Sequence, residues 1–183
     1  MNALELVTLA AGDFELRPPR PADAEAALAM LADPAVRQWH PGPATLTLGS
    51  VRDWLERGRD WSGGSAAVWT VHEAESLVGQ AYVFSIDPDQ LDASVGYRTA
   101  PWARGRGVAT AALVAMTAYA FDVLGLERLR LLHSAANPAS CRVAEKVGYG
   151  LVGTERGGFR DHDGVRWDSH LHDCLKAGVV SRP

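Results

Sequence analysis

Apolar and polar positions along this chain repeat with two periods, and the switches between them mark out the elements. From Val108 the spacing is helical, with Val108, Ala112, Ala115 and Tyr119 on one stripe. Ala22 to Ala32 reads as another helix, with Leu28 and Leu31 turned inward and Asp33-Pro34 as its stop. After a Gly42-Pro43 loop, Ser50 caps a third helix that runs to about Trp61. Phe14 to Arg17 is a strand ended by Pro18 and Pro19. Past the break Ser62-Gly63-Gly64-Ser65, Ala66 to His72 and Leu77 to Ile86 form a strand pair, the second ended by Asp87-Pro88. Ser94 to Ala100 and Leu129 to Ala135 are strands that each lead into a helix-opening loop. Tyr149 to Glu155 and Trp167 to Leu175 finish a mixed sheet, with a polar loop containing Gly157-Gly158 between them. The predicted order is βααβββαβαββ.

The turn into the Val108 helix carries the most telling chemistry. Arg104-Gly105-Arg106-Gly107-Val108-Ala109-Thr110 sets two glycines, without Cβ atoms to block a ligand, at a helix start. Such a start offers unpaired N–H donors and a partial positive charge, and two arginines add full charge beside it. A phosphate or pyrophosphate is expected there. No Gly-Lys-Ser/Thr ending is present, which excludes a Walker loop. A dinucleotide fingerprint fails as well, because Thr110 stands at its third glycine position and Ala100-Pro101-Trp102-Ala103 is turn chemistry. The plain alternative is a glycine-rich turn that merely caps a helix.

A second constellation lies further on. Asn137-Pro138-Ala139-Ser140 opens a helix with a good N-cap and proline at the first position. Glu145-Lys146-Val147-Gly148-Tyr149 closes it, with Gly148 suited to a left-handed residue and Tyr149 to the apolar contact after it. Arg-x-x-Gly-x-Ala (Arg104, Gly107, Ala109) resembles the acyl-CoA pyrophosphate loop of the GNAT superfamily of N-acyltransferases. The Asn-x-x-Ser and Glu-Lys-x-Gly-Tyr elements resemble the second half of that fold, in the branch of Rim-type ribosomal-protein N-terminal acetyltransferases. The resemblance covers roughly residues 14 to 175.

It implies an α/β (α+β mixed) GNAT fold, with a mostly antiparallel sheet of six to seven strands, helices on both faces and a central splay between two strands. The Ser94–Ala100 and Leu129–Ala135 strands would part to admit pantetheine. Backbone groups of Tyr97, Arg98 and Thr99 would pair with the pantetheine amides as an added strand does. Gly96 fits a bulge or a close backbone approach. The pyrophosphate would rest on amides of Gly105, Arg106, Gly107, Val108, Ala109 and Thr110, helped by Arg104 and Arg106. Asn137 would contact the cofactor, and Ser140 would sit near the thioester sulfur. The implied chemistry is direct attack of a neutral amine on acetyl-CoA, with the oxyanion held by N–H donors of the strand before the glycine loop. Ser140 is the candidate to hydrogen-bond or protonate the departing thiolate.

The base departs from the family pattern. Members of this branch often read Glu-Ile-Gly-Tyr where this chain has Ser94-Val95-Gly96-Tyr97. His133, Asp92 and Asp87 remain as candidates beside a water relay, and His133 has an ordinary pKa near 6.5. The acceptor is a peptide or protein N-terminus, or a small-molecule amine. Succinyl-CoA is an alternative donor that Arg98 or Arg106 would favour. A non-catalytic acyl-CoA-binding regulatory domain is the alternative of another class.

Composition narrows the rest. With 183 residues, 47% hydrophobic and 22% charged, the chain reads as one folded domain over 1–183, with 176–183 a loose tail. A net charge of −4 argues against nucleic-acid affinity. The N-terminus lacks a basic segment before an apolar run, and the longest apolar stretch, Val108 to Phe121, falls short of a membrane span. A cytoplasmic protein, free of membrane partners and capable of homodimerising, is expected. Cys141 and Cys174 read as reduced thiols, Cys141 as a small buried helix residue rather than a nucleophile. His162, His170 and His172 with Asp161, Asp163, Asp168 and Asp173 look metal-like, and His170 and His172 share a strand face. No zinc spacing is met, so a solvated hairpin without metal is expected. Trp39, Trp54 and Trp61 lie where relatives cover the acceptor site, with Trp39 and His40 the candidate substrate contacts.

Overall fold

The computed structural model describes residues 3–40 and 42–179. Among these residues there are eight strands: β1 (Leu9–Ala11), β2 (Phe14–Arg17), β3 (Ala66–Glu73), β4 (Ser76–Asp87), β5 (Asp92–Thr99), β6 (Arg128–Ser134), β7 (Gly150–Arg160) and β8 (Arg166–Leu175). Five helices join them: α1 (Ala24–Ala32), α2 (Pro34–Trp39), α3 (Leu48–Arg59), α4 (Val108–Asp122) and α5 (Pro138–Val147). One open sheet runs in the order β1-β2-β3-β4-β5-β6-β8-β7. Every pairing is antiparallel except β5 with β6.

Helices cover both faces. Val68 and Trp69 are neighbours in β3 and so point to opposite sides. Val68 meets α3 at Gly58, whereas Trp69 packs edge-on against Tyr119 of α4 at 5.4 Å. The α4 helix buries Val108, Ala112, Leu113, Met116, Tyr119 and Ala120, and Ala115 is only partly buried. No helix among the described residues is long and apolar enough to cross a membrane.

Several expectations are corrected. The sheet has eight strands, not six or seven, because Leu9–Ala11 adds a three-residue edge paired to β2. Asp33-Pro34 ends α1 but also begins α2: the Asp33 carboxylate caps Val36 N at 3.0 Å, and proline fits the first turn. The α3 cap is Thr47, and Ser50 answers it three residues on as the reciprocal half of a capping box. Met30 and Leu31 are fully buried on α1, with Leu28 partly so. Gly157 and Gly158 lie inside β7, where the register shifts between Glu155 and Phe159. A side chain at Gly158 would collide with Ser169 and Glu155, so glycine lets the strand stay irregular there. Lys176 is tied back by its N–H to the Glu127 carbonyl at 2.8 Å, which removes it from the expected tail. Residues 180–183 of that tail lie outside the described residues.

Candidate active site

β5 and β6 pair only from Asp92–Ser94 to Arg128–Arg130, and beyond that they part. Val95 to Thr99 and Leu131 to Ser134 therefore face each other across a gap. The α4 helix follows β5 and α5 follows β6, so both helix starts open at the same mouth. The cleft there has a volume of about 540 Å³. Tyr97, Arg98, Thr99, Arg104, Gly105, Gly107, Val108, Ala109 and Thr110 line one wall, with Asn137 and Ser140 on the other. Of the residues expected at the cofactor, Arg106 alone is off this lining.

The α4 start is a backbone site. Gly107 is its N-cap at φ +83° and Gly105 sits at φ +77°, left-handed conformations that strain other residues. No side chain caps the helix, so its first-turn N–H groups remain open toward the cleft. The flanking arginines are engaged with carboxylates: Arg104 pairs with Asp33 and Arg106 with Glu73. On the opposite wall the Asn137 side-chain oxygen accepts from Ser140 N at 3.4 Å and caps α5. Gly148 closes that helix at φ +92°, and Tyr149 N–H donates to the Ala144 carbonyl at 2.9 Å. The Tyr97 hydroxyl crosses the gap to donate to the Ser140 carbonyl at 3.3 Å. Burial pushes its phenol up to about 12, so it stays a neutral donor. Gly96 makes no bulge; the Tyr82 ring of the neighbouring strand lies over it, where a side chain would collide.

A second cavity of about 430 Å³ continues from the same gap. Trp39 and His40 border both cavities, and Trp39 packs against Phe159 and Trp167 at 5.9 and 5.8 Å. Arg98 also borders both, yet its side chain is buried and its Nε and Nη1 have no hydrogen-bond partner among the described residues. Its guanidinium lies 5.1 Å from the Trp54 ring centre and 5.7 Å from that of Tyr82. Burial, then the Arg98 charge, push His40 down to about 3. Trp61 stacks edge-on to Trp69 at 4.9 Å in the core, away from the acceptor space.

No carboxylate borders either cavity among the described residues. Ser94 stands on the wall where the family's glutamate would be. Asp92 is paired with Arg130, and Asp87 accepts the N–H groups of Asp89 and Gln90 at 2.9 and 3.0 Å. His133 borders the second cavity, with Nδ1 donating to the Ser134 carbonyl at 2.8 Å. Burial holds its pKa below the ordinary histidine value, and the nearby His172 and His170 add to this. The expectation of a solvated hairpin holds for His162, Asp163 and Asp168, which are exposed, and fails for His172, fully buried, and His170, partly so, because β8 runs between β6 and β7 beneath α5. Arg98 was expected at the cofactor, but its burial between the Trp54 and Tyr82 rings was not, and the convergence of the histidines on Cys141 was missed in the sequence. Only the His170-x-His172 alternation hinted at the second.

A mixed sheet parted at its one parallel pair, with an uncapped helix start at the mouth of the gap, defines an acyltransferase architecture. The chain belongs to the GNAT acetyltransferase family, whose domain description, "Acetyltransferase (GNAT) domain", matches residues 13–150. It is 28% identical over 132 residues to YdaF of Bacillus subtilis (strain 168), provisionally named a ribosomal N-acetyltransferase, covering 72% of this chain and 67% of that one. Its fold matches RimJ of Mycobacterium smegmatis, solved with a CoA disulfide, with a TM-score of 0.82 at 22% identity over 93% of this chain and 86% of that one. It also matches the microcin C7 self-immunity acetyltransferase MccE, solved with acetyl-CoA and AMP, with a TM-score of 0.80 at 18% identity over 90% and 93%.

Proposed function

We propose that this protein moves the acetyl group of acetyl-CoA to a primary amine, with the N-terminal α-amine of a peptide or protein as acceptor. The observation that carries it is the uncapped α4 start opening onto a cleft whose far wall bears Asn137 and Ser140. Diphosphate would accept from amides of Gly105 to Thr110, and pantetheine would lie along Tyr97 to Thr99, whose gap-side backbone has no strand partner. The CoA and acetyl-CoA bound to structural neighbours support the same donor.

The amine nitrogen attacks the thioester carbonyl, the oxyanion takes β5 amides, and the C–S bond then breaks. Ser140, which borders both cavities, donates to the leaving thiolate. The burial that depresses His40, with the Arg98 charge second, also opposes an ammonium, so the acceptor enters neutral. An α-amine with a pKa of about 7.7–8.0 meets that condition more readily than a lysine at about 10.4. The amine proton leaves through water in the acceptor space. His133 is not given that task, because one of its nitrogens is committed to Ser134 and its proton affinity is lowered. A cytoplasmic setting, in which Cys141 and Cys174 stay unbridged, belongs to the same proposal.

Arg98 favours a second reading. A buried guanidinium whose Nε and Nη1 have no hydrogen-bond partner among the described residues would, at the acyl end, suit a carboxylated donor such as succinyl-CoA. The test is CoA-thiol release with acetyl-CoA or succinyl-CoA, offered peptides with free Ala or Ser N-termini and a panel of small amines. Release with acetyl-CoA and peptides alone supports the first reading. Release with small amines alone moves the acceptor to metabolites or antibiotics, and preference for succinyl-CoA selects the Arg98 reading.

A further inference from the structure

Behind the α5 wall, the register of β6 against β8 and the packing of α5 bring four ligand-type side chains together. His133 of β6 stands directly opposite His170 of β8, and His172 follows two residues on along the same face. Cys141 of α5 closes over them. One ligand atom from each of His133, Cys141, His170 and His172 lies within 4.8 Å of all the others. Cys141 Sγ is 3.1 Å from His170 Nδ1 and 3.7 Å from His172 Nε2. Tetrahedral zinc, with bonds of about 2.3 Å to sulfur and about 2.0–2.1 Å to nitrogen, sets its ligands about 3.3–3.6 Å apart. The two sulfur–nitrogen distances bracket that range, and the remaining ligand atoms, all within 4.8 Å of one another, need only small shifts to reach it.

Proton counting points the same way. His133 Nδ1 donates to the Ser134 carbonyl at 2.8 Å, and His172 Nδ1 faces the Tyr149 carbonyl at 3.4 Å. Each of these rings therefore keeps its Nε2 lone pair free. His133 is 6% exposed, and its Nε2 is buried with no partner among the described residues. Within the cluster the Cys141 S–H and one ring N–H of His170 are the only donors left, too few to satisfy the facing lone pairs. Ring N–H groups held by carbonyls, with the other nitrogens converging, are the outer-shell arrangement of metal-bound histidines.

We propose that His133, Cys141, His170 and His172 form a closed tetrahedral Cys-His₃ site for one zinc ion. This reverses the expectation of no metal, which rested on linear spacing. Here the spacing is made by strand order. Four protein ligands leave no open position, so the ion is structural. It fastens α5, the helix that carries Asn137 and Ser140, to β6 and β8. The proposal is independent of which amine the enzyme acetylates.

The experiment uses the full chain without a polyhistidine tag, grown with added zinc and dialysed against metal-free buffer. Elemental analysis is expected to find one zinc per chain. Replacement by Co(II) is expected to give a thiolate-to-cobalt charge-transfer band and the intense visible bands of tetrahedral cobalt. Cys141→Ser should abolish the charge-transfer band, His172→Gln should lose the bound zinc, and the exposed His162→Gln should keep both. Wild-type protein with no zinc and no tetrahedral cobalt spectrum overturns the site, whatever the variants do. Zinc retained at wild-type level in folded Cys141→Ser and His172→Gln also overturns it, by placing the metal elsewhere.

Discussion

The two walls of the gap between β5 and β6 face the same space but are made of different material. The β5–α4 wall is backbone: left-handed Gly105 and Gly107, an uncapped helix start and an unpaired strand edge. The β6–α5 wall is side chain: Asn137 and Ser140 in front, His133 and Cys141 behind. A backbone wall depends on a few conformations and tolerates most residue identities. A side-chain wall depends on identities and on whatever holds them in place. The first should fail through strain and the second through lost atoms.

The largest expected effect strikes the backbone wall. Gly107→Val puts a β-branched residue at φ +83°, costing at least about 1–2 kcal/mol in conformation, and sets its methyls where phosphate would lie. Among the described residues nothing lies within 4 Å of a Cβ there, so packing is not what suffers. The strain lowers stability, whereas the intruding methyls lower affinity: acetyl-CoA binding by calorimetry should fall more than about tenfold, a loss of about 1.4 kcal/mol. Arg104→Ala or Arg106→Ala should cost less than about threefold, because each is half-exposed and already paired with a carboxylate. The reverse order would mean that charge, not backbone, holds the diphosphate.

On the side-chain wall, Ser140→Ala should lower kcat about 10²-fold while leaving the KM for acetyl-CoA within about threefold. Steady-state kinetics with the preferred acceptor decides it. An unchanged kcat would remove Ser140 from the reaction and leave the thiolate to solvent.

The same contrast explains what could be read from sequence. The glycine loop, the α5 caps and most strands follow from neighbours within a few residues, and all were legible. Asp33-Pro34 misled because a proline that ends one helix suits the first turn of the next. The edge strand β1 is three residues long, too short for a period to show. The histidine cluster was unreadable for a deeper reason. β8 enters the sheet between β6 and β7, so His170 meets His133 through a strand order that no local pattern encodes. Arg98 was placed at the cofactor by the strand it belongs to, but its enclosure by the Trp54 and Tyr82 rings depends on contacts across the fold.

A smaller effect is expected where the walls touch. Tyr97→Phe removes the hydrogen bond from the Tyr97 hydroxyl to the Ser140 carbonyl and leaves the ring in place. A loss of about 0.5–1.5 kcal/mol in unfolding free energy, read from urea titration, is the expected cost. Acetyl-CoA affinity should stay within about twofold. A much larger drop in affinity would show that this single contact sets the width of the gap.

The mildest change is one of pH, at the acceptor end of the gap. His40 falls to about 3 in the folded protein, by burial first and the Arg98 charge second, against an ordinary value of 6.5. The unfolded chain therefore binds the proton more tightly, and protonation favours unfolding. Stability from the neutral ring is complete above pH 6.5 and is lost progressively as pH falls from there toward 3. Between pH 7.5 and 6 the change is under about 1 kcal/mol, and it steepens below. Melting temperatures across that range should decline less in His40→Gln, which keeps a neutral polar group at the position. Equal declines would mean that His40 takes up its proton without unfolding, and that the acceptor end of the gap is wetter than its Trp39 and Arg98 neighbours make it.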